Sequence, residues 1–194
     1  MSTSMNNEWT RLMEDCSSCQ GCELHKTRTN CVFGTGNTEA DILFVGEAPG
    51  EQEDLSGTPF VGRAGKLLDQ FLFAVDLPRE EVYIANILKC RPPKNRDPLP
   101  AEEDACMEFL RRQVRLSRPK IIVCLGRIAA MRLIKPDFKI TKEHGVWFPK
   151  GDFLITAVYH PALLLRDPRK KEEMLEDMKK IKEKLGELKG EATK

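Results

Sequence analysis

Apolar positions fall along the chain in two alternating forms, short continuous runs and longer stripes at helical spacing. Asp41–Gly46 (DILFVG) is an apolar run of strand length ending in the turn Glu47–Gly50. Val82–Ile87, Lys120–Leu125 (KIIVCL) and Phe153–Tyr159 (FLITAVY) read as three further buried strands. Between them lie helical patterns. Arg63–Val75 repeats apolar residues at Leu67, Leu68, Phe71 and Leu72. Pro100–Leu116 opens with Pro100 in its first turn and acidic Glu102, Glu103 and Asp104 behind it, a favourable helix N-terminus. Gly126 opens another helix to about Ile134, and Asn7–Asp15 reads as a short helix running into the first cysteines. Residues 168–194 carry an amphipathic stripe through Met174, Met178, Ile181 and Leu185, with a solvated Lys/Glu face and a tail. Strand and helix alternate, so residues 1–194 are expected to form one α/β domain. The expected architecture is a three-layer α/β/α sandwich around a central, mostly parallel four-stranded sheet.

In such sheets ligands sit beyond the carboxyl ends of the strands. Gly46–Gly50, Asn86–Cys90 and His160–Pro161 all fall at or just past expected strand ends. Composition narrows the function classes. Net charge is +1, so any nucleic-acid contact must be a local patch rather than a global field. The first residues are polar without an apolar core, and no apolar run approaches the ~20 residues that span a bilayer. A cytoplasmic protein with no membrane partner is expected.

Seven cysteines occur, at positions 16, 19, 22, 31, 90, 106 and 124. Cys124 sits inside an apolar strand and reads as a small core residue. Cys16, Cys19 and Cys22 make two overlapping Cys-x-x-Cys pairs, between which spacing does not choose. Without a secretion signal, such a set points to a metal or cluster rather than to disulfides. Zinc and a four-iron cluster both accept four thiolates, with iron–sulfur narrowly the preferred reading.

The longer segments are more specific. Cys19-Gln-Gly-Cys22-Glu-Leu24 is followed by Arg28-Thr29, Val32-Phe33-Gly34-Thr35-Gly36-Asn37 and Gly46-Glu47-Ala48-Pro49-Gly50-Glu51-Gln52-Glu53-Asp54. Then come Gly57-Thr58-Pro59-Phe60-Val61-Gly62, Asn86-Ile87-Leu88-Lys89-Cys90-Arg91-Pro92-Pro93 and His160-Pro161-Ala162. From about Cys19 to Arg166, this chain resembles the family 4 uracil-DNA glycosylases, the thermostable iron–sulfur branch of their superfamily. The resemblance implies a structural [4Fe-4S] cluster on Cys19, Cys22, Cys90 and Cys106, leaving Cys16 and Cys31 as extras. It implies a monofunctional hydrolase that frees uracil from DNA, single- or double-stranded, in base excision repair. A monomer contacting a replication clamp is the expected assembly.

Site roles follow from the same resemblance. His160 would donate a hydrogen bond to uracil O2, where negative charge develops as the base leaves; its plain alternative is a helix-capping histidine. Asn86 would accept from uracil N3–H and donate to O4, and its alternative is a turn asparagine. Phe60 would stack on the base rather than merely pack in the core. Glu53 would crowd uracil C5 and exclude the thymine methyl, though it also belongs to a run of charged loop residues. Other branches of the superfamily carry Gln-Asp where this chain has Glu47 and Ala48. Glu47 is therefore the candidate to position water, and Ala48 and Pro49 are candidate backbone contacts to uracil. Lys89, Arg91, Arg127 and Arg166 are expected to meet DNA phosphates. Leu163 and Leu164, in the stretch through Leu165, are expected to wedge into the gap left by the extruded base.

Overall fold

The computed structural model describes residues 3–190; the last four residues of the expected C-terminal tail lie outside them. The four expected strands form the parallel centre of the sheet: β2 (Ile42–Gly46), β3 (Tyr83–Asn86), β4 (Ile121–Leu125) and β6 (Phe153–Val158). The sheet has six strands rather than four, because two short antiparallel strands flank this centre, β1 (Thr35–Gly36) and β5 (Phe148–Lys150). Both are too short to show periodicity. β5 also contains Pro149, which an edge strand tolerates and a central one does not. The full order is β1-β3-β2-β4-β6-β5.

The central runs are apolar throughout because both sheet faces are covered. Alternation along β2 sends Ile42 and Phe44 to one layer and Leu43 and Val45 to the other. The first layer holds α3 (Arg63–Ala74), α7 (Pro161–Arg166) and α8 (Lys171–Lys189), which bury Leu68, Leu72, Leu164, Met174 and Met178. The second holds α1 (Thr3–Ser17), α4 (Pro100–Ser117) and α5 (Arg127–Leu133), through Trp9, Met107, Leu110, Ala129 and Ala130. Two further short helices, α2 (Glu51–Ser56) and α6 (Ile140–Glu143), fall in segments where the sequence shows no periodicity. The acidic run Glu51–Asp54 proves to be the first turn of α2, where carboxylates meet the positive end of the helix.

The chain passes from β2 to β3 on one side, then crosses to β4 on the other. This reversal opens a crevice at the carboxyl ends of β2 and β4, where a parallel sheet receives its ligands.

Candidate active site

The turns after the four parallel strands line one cleft of about 830 Å³ at that crevice. It gathers Glu47, Ala48, Pro49, Glu53, Phe60, Asn86, His160, Arg127, Leu163 and Arg166 from well-separated stretches of the sequence. Lys89, Arg91 and Leu164 are not among its walls.

Asn86 closes β3 and is 1% exposed. Its Oδ1 is buried without a hydrogen-bond partner. An unmet buried acceptor costs about 1–3 kcal/mol, so its retention needs a reason. Gly46 makes room for it: a Cβ there would come within 2.4 Å of Asn86 Oδ1 and 2.6 Å of Phe60 Cζ. The amide and the ring therefore share the space above a residue without a side chain. Phe60 holds the left-handed region at φ 54°, an uncommon conformation for a bulky residue. Its backbone packs against Gly65, where a Cβ would stand 1.8 Å from the Phe60 carbonyl oxygen.

His160 follows β6 and caps α7. The backbone N–H of Ala162 donates to His160 Nδ1 at 3.1 Å. Nδ1 is thus an acceptor, and the neutral ring carries its proton on Nε2. Burial pushes the imidazole pKa down to about 4, with Arg166 adding to the fall and Glu53 opposing it. The ring is neutral at physiological pH. It lies 5.8 Å from the Phe60 ring, centroid to centroid. Gly126, at φ 93°, permits this approach, since a Cβ there would stand 2.7 Å from His160 Cβ. The side chain that caps α7 also lines the cleft.

Burial raises the Glu47 carboxyl to about 7; Asp97 and Glu103 add to the rise, and Arg127 opposes it. Glu53 is fully engaged. Its Oε1 accepts from Val61 N–H at 3.0 Å and Gly62 N–H at 2.8 Å, and its Oε2 accepts from Gly50 N–H at 3.1 Å. The residue expected to crowd uracil C5 clamps the Glu47–Gly50 turn to the Phe60 loop.

Two of the expected DNA contacts are corrected. Lys89 is 1% exposed, and its ammonium donates to the carbonyls of Asn86 and Phe33 at 2.8 and 3.1 Å and to Gln113 Oε1 at 2.7 Å. It is an internal strut beneath Asn86, out of reach of phosphate. Leu164 is fully buried in the core, where α7 packs on α3, so it cannot enter a base stack. Leu163 and Leu165 line the cleft instead, and Leu165 is exposed. Helical spacing explains the split: of three consecutive leucines in one turn, the middle one faces the core. Arg91 stands outside the cleft, bonded to Asn95 Oδ1 at 2.8 Å and 3.6 Å from Glu51. Arg127 is half exposed beside Asp97 at 3.3 Å. Arg63 at the head of α3 also lines the cleft; nothing in the sequence distinguished it from other surface arginines.

Behind β3, Cys19, Cys22, Cys90 and Cys106 line a second, small cavity together with Cys16. Arg28 donates to Cys90 Sγ at 3.1 Å and to the Ser17 carbonyl at 2.5 Å, and Gly21 N–H donates to Cys19 Sγ at 3.3 Å. Donors aimed at sulfur suit thiolates that hold a metal group. Among the described residues no group of three or more His, Cys, Asp or Glu closes to single-ion distance. Cys16, which also borders this cavity, has its Sγ 3.2 Å from that of Cys31. The hydrogen bond from Cys16 draws the Cys31 thiol down to about 7.

No helix among the described residues is long and apolar enough to cross a membrane. The sequence profile of the Uracil DNA glycosylase superfamily matches residues 33–185. The chain is 48% identical over 185 residues to the type-4 uracil-DNA glycosylase of Archaeoglobus fulgidus, covering 90% of this chain and 92% of that one. Identity to the type-4 enzyme of Sulfurisphaera tokodaii is 44% over 182 residues, covering 89% and 83% of the two chains. To that of Thermotoga maritima it is 43% over 175 residues, covering 87% and 90%. By these matches the chain belongs to the type-4 uracil-DNA glycosylases of the uracil DNA glycosylase superfamily.

Proposed function

We propose that this enzyme hydrolyses the bond joining uracil N1 to deoxyribose C1′ in DNA, as a monofunctional glycosylase that leaves an abasic site for base excision repair. Uracil excision from DNA follows from the family. The observation that carries the finer reading is the pairing, in one cleft, of an unmet Asn86 Oδ1 with a neutral His160 whose Nε2–H is free to donate.

The base is first extruded from the helix, at a cost of a few kcal/mol. Uracil enters above Gly46, where Asn86 Oδ1 accepts from N3–H and Nδ2 donates to O4. Cytosine presents the opposite polarity at both positions and leaves the amide unpaired. Phe60 stacks on the ring, worth roughly 1–3 kcal/mol. As the glycosidic bond lengthens, charge gathers on O2 and the sugar becomes oxocarbenium-like. Nε2–H of His160 stabilises that charge as a preorganised donor. Glu47 positions and deprotonates water for attack at C1′, with Ala48 and Pro49 forming the floor beside it. Glu53 sets the wall at C5 through the two loops it holds. Arg127 and Arg166 at the rim meet phosphates, and Leu163 with Leu165 fills the vacated stack.

Cys19, Cys22, Cys90 and Cys106 would hold a [4Fe-4S] cluster, which supplies a covalent tie between distant segments rather than a part in bond cleavage. Incubation with a uracil-containing oligonucleotide, followed by alkaline cleavage, tests the reaction. Strand scission at uracil alone is expected, in both single- and double-stranded substrates; an uncleaved strand rejects the proposal.

A further inference from the structure

Cys16 and Cys31 are surplus to the four-thiol set, yet the fold brings them together. Cys16 lies near the end of α1 and is 1% exposed, while Cys31, in the segment before β1, is half-buried. Their sulfurs stand 3.2 Å apart across a sequence separation of 15 residues. The segment they bracket carries Cys19, Cys22 and Arg28, and Arg28 ties Ser17 to Cys90. The same segment is anchored on its far side, where Thr29 N–H and the Asn30 amide bond Asp54 and the end of α2. Both sulfurs are therefore held on fixed backbone, facing each other.

We propose that Cys16 and Cys31 form a redox-modification site, which closes to a disulfide by exchange with a small aliphatic disulfide and so keeps Cys19 and Cys22 facing Cys90 and Cys106. The pairing stands on its own; only the effect on the metal group rests on the cluster reading above. Cys31, the more accessible sulfur, attacks as thiolate and breaks the S–S bond of the reagent, releasing one thiolate. Cys16 then loses its proton to solvent and attacks the Cys31 sulfur of the mixed disulfide, releasing the second thiolate. The pair loses two electrons and the reagent gains them. The closed loop limits how far Cys19 and Cys22 can stray when a ligand bond opens.

The test uses the holoprotein, prepared without oxygen and equilibrated in mixtures of reduced and oxidised glutathione. Acid quenching, alkylation and peptide mass mapping follow. The expected result is the loss of two thiols per chain, one cross-linked peptide joining Cys16 to Cys31, unchanged iron and sulfide, and several-fold slower release of iron to a chelator. Cys31→Ser, at a half-exposed position, abolishes the cross-link. Absence of a cross-link in fully oxidised glutathione overturns the pairing, as does a cross-link to any other cysteine. An unchanged release rate overturns the retention effect. A protein without iron would sink the cluster reading, while the peptide map would still decide the pairing.

Discussion

At the scale of single residues, two side chains carry separable predictions. His160 both caps α7 and lines the cleft. His160→Ala is expected to lower kcat by about two to three orders of magnitude, the usual cost of one oxyanion donor. Loss of the cap adds about 1 kcal/mol of destabilisation, so activity collapses while the protein still unfolds cooperatively; equal activity in the variant would remove His160 from the reaction. Glu47 predicts a pH profile. Its carboxyl is raised to about 7, so below that pH it is mostly protonated and cannot accept a proton from water. kcat/KM is expected to rise with pH through about 7, and Glu47→Gln to be slow and flat there. The sign for stability is opposite. The folded state holds this proton more tightly than the unfolded one, so the contribution is present below the ordinary carboxylate range and is lost as pH rises through about 7. His160 does the reverse: its depressed pKa makes the folded state lose stability as pH falls from 6.5 towards about 4. A site whose activity climbs with pH while Glu47 costs it stability is one in which ionisation is retained for chemistry.

At the scale of elements, the cleft is shaped by glycines and by one clamp. Gly46→Ala places a methyl group inside the contact distances of both Asn86 and Phe60 without disturbing the β2 ladder. Uracil binding and turnover are expected to fall at least about tenfold, a shift of some 1.4 kcal/mol, with circular dichroism unchanged; unchanged turnover would show that base and amide do not meet above Gly46. Glu53→Ala frees three backbone N–H groups at once and uncouples the Glu47–Gly50 turn from the Phe60 loop. Hydrogen bonds to charged groups contribute about 1.5–3 kcal/mol each. The variant should therefore lose stability and uracil turnover while gaining relative activity on thymine; kinetics on paired uracil and thymine substrates measures the ratio. The sequence disclosed the strand runs, the helices of more than two turns and the strand-end turns, because each has a periodicity or a punctuating glycine. It did not disclose α2, whose acidic first turn looks like any solvated charge run. Nor could it separate Leu163 and Leu165 from Leu164, or Lys89 from its basic neighbours. A residue's facing depends on where its element begins, and that is set by packing across the sheet.

At the scale of the whole molecule, the two cavities are mechanically one. Cys90 is four residues beyond Asn86, and between them Lys89 lines the thiol cavity while its ammonium grips the Asn86 carbonyl. Arg28 reaches Cys90 from the segment that also anchors α2, the helix of Glu53. The thiol cavity is therefore tied both to the end of β3 that carries Asn86 and to the helix that carries Glu53. Linking residues as far apart as Cys22 and Cys90 restricts the unfolded chain by an amount comparable to a disulfide across a loop of that length, about 4 kcal/mol. Cys90→Ala is expected to lose the brown chromophore and to lower the unfolding midpoint by roughly 8–16 °C. Because the Asn86 carbonyl then rests on a strut with one wall missing, base discrimination should weaken more than the hydrolytic step. KM for uracil substrate is expected to rise further than kcat falls. Measuring the two constants separately below the variant's unfolding midpoint distinguishes this from simple instability, which would lower the apparent kcat at constant KM. A fully coloured and equally stable variant would move the fourth ligand elsewhere, and the brace between the two cavities would go with it.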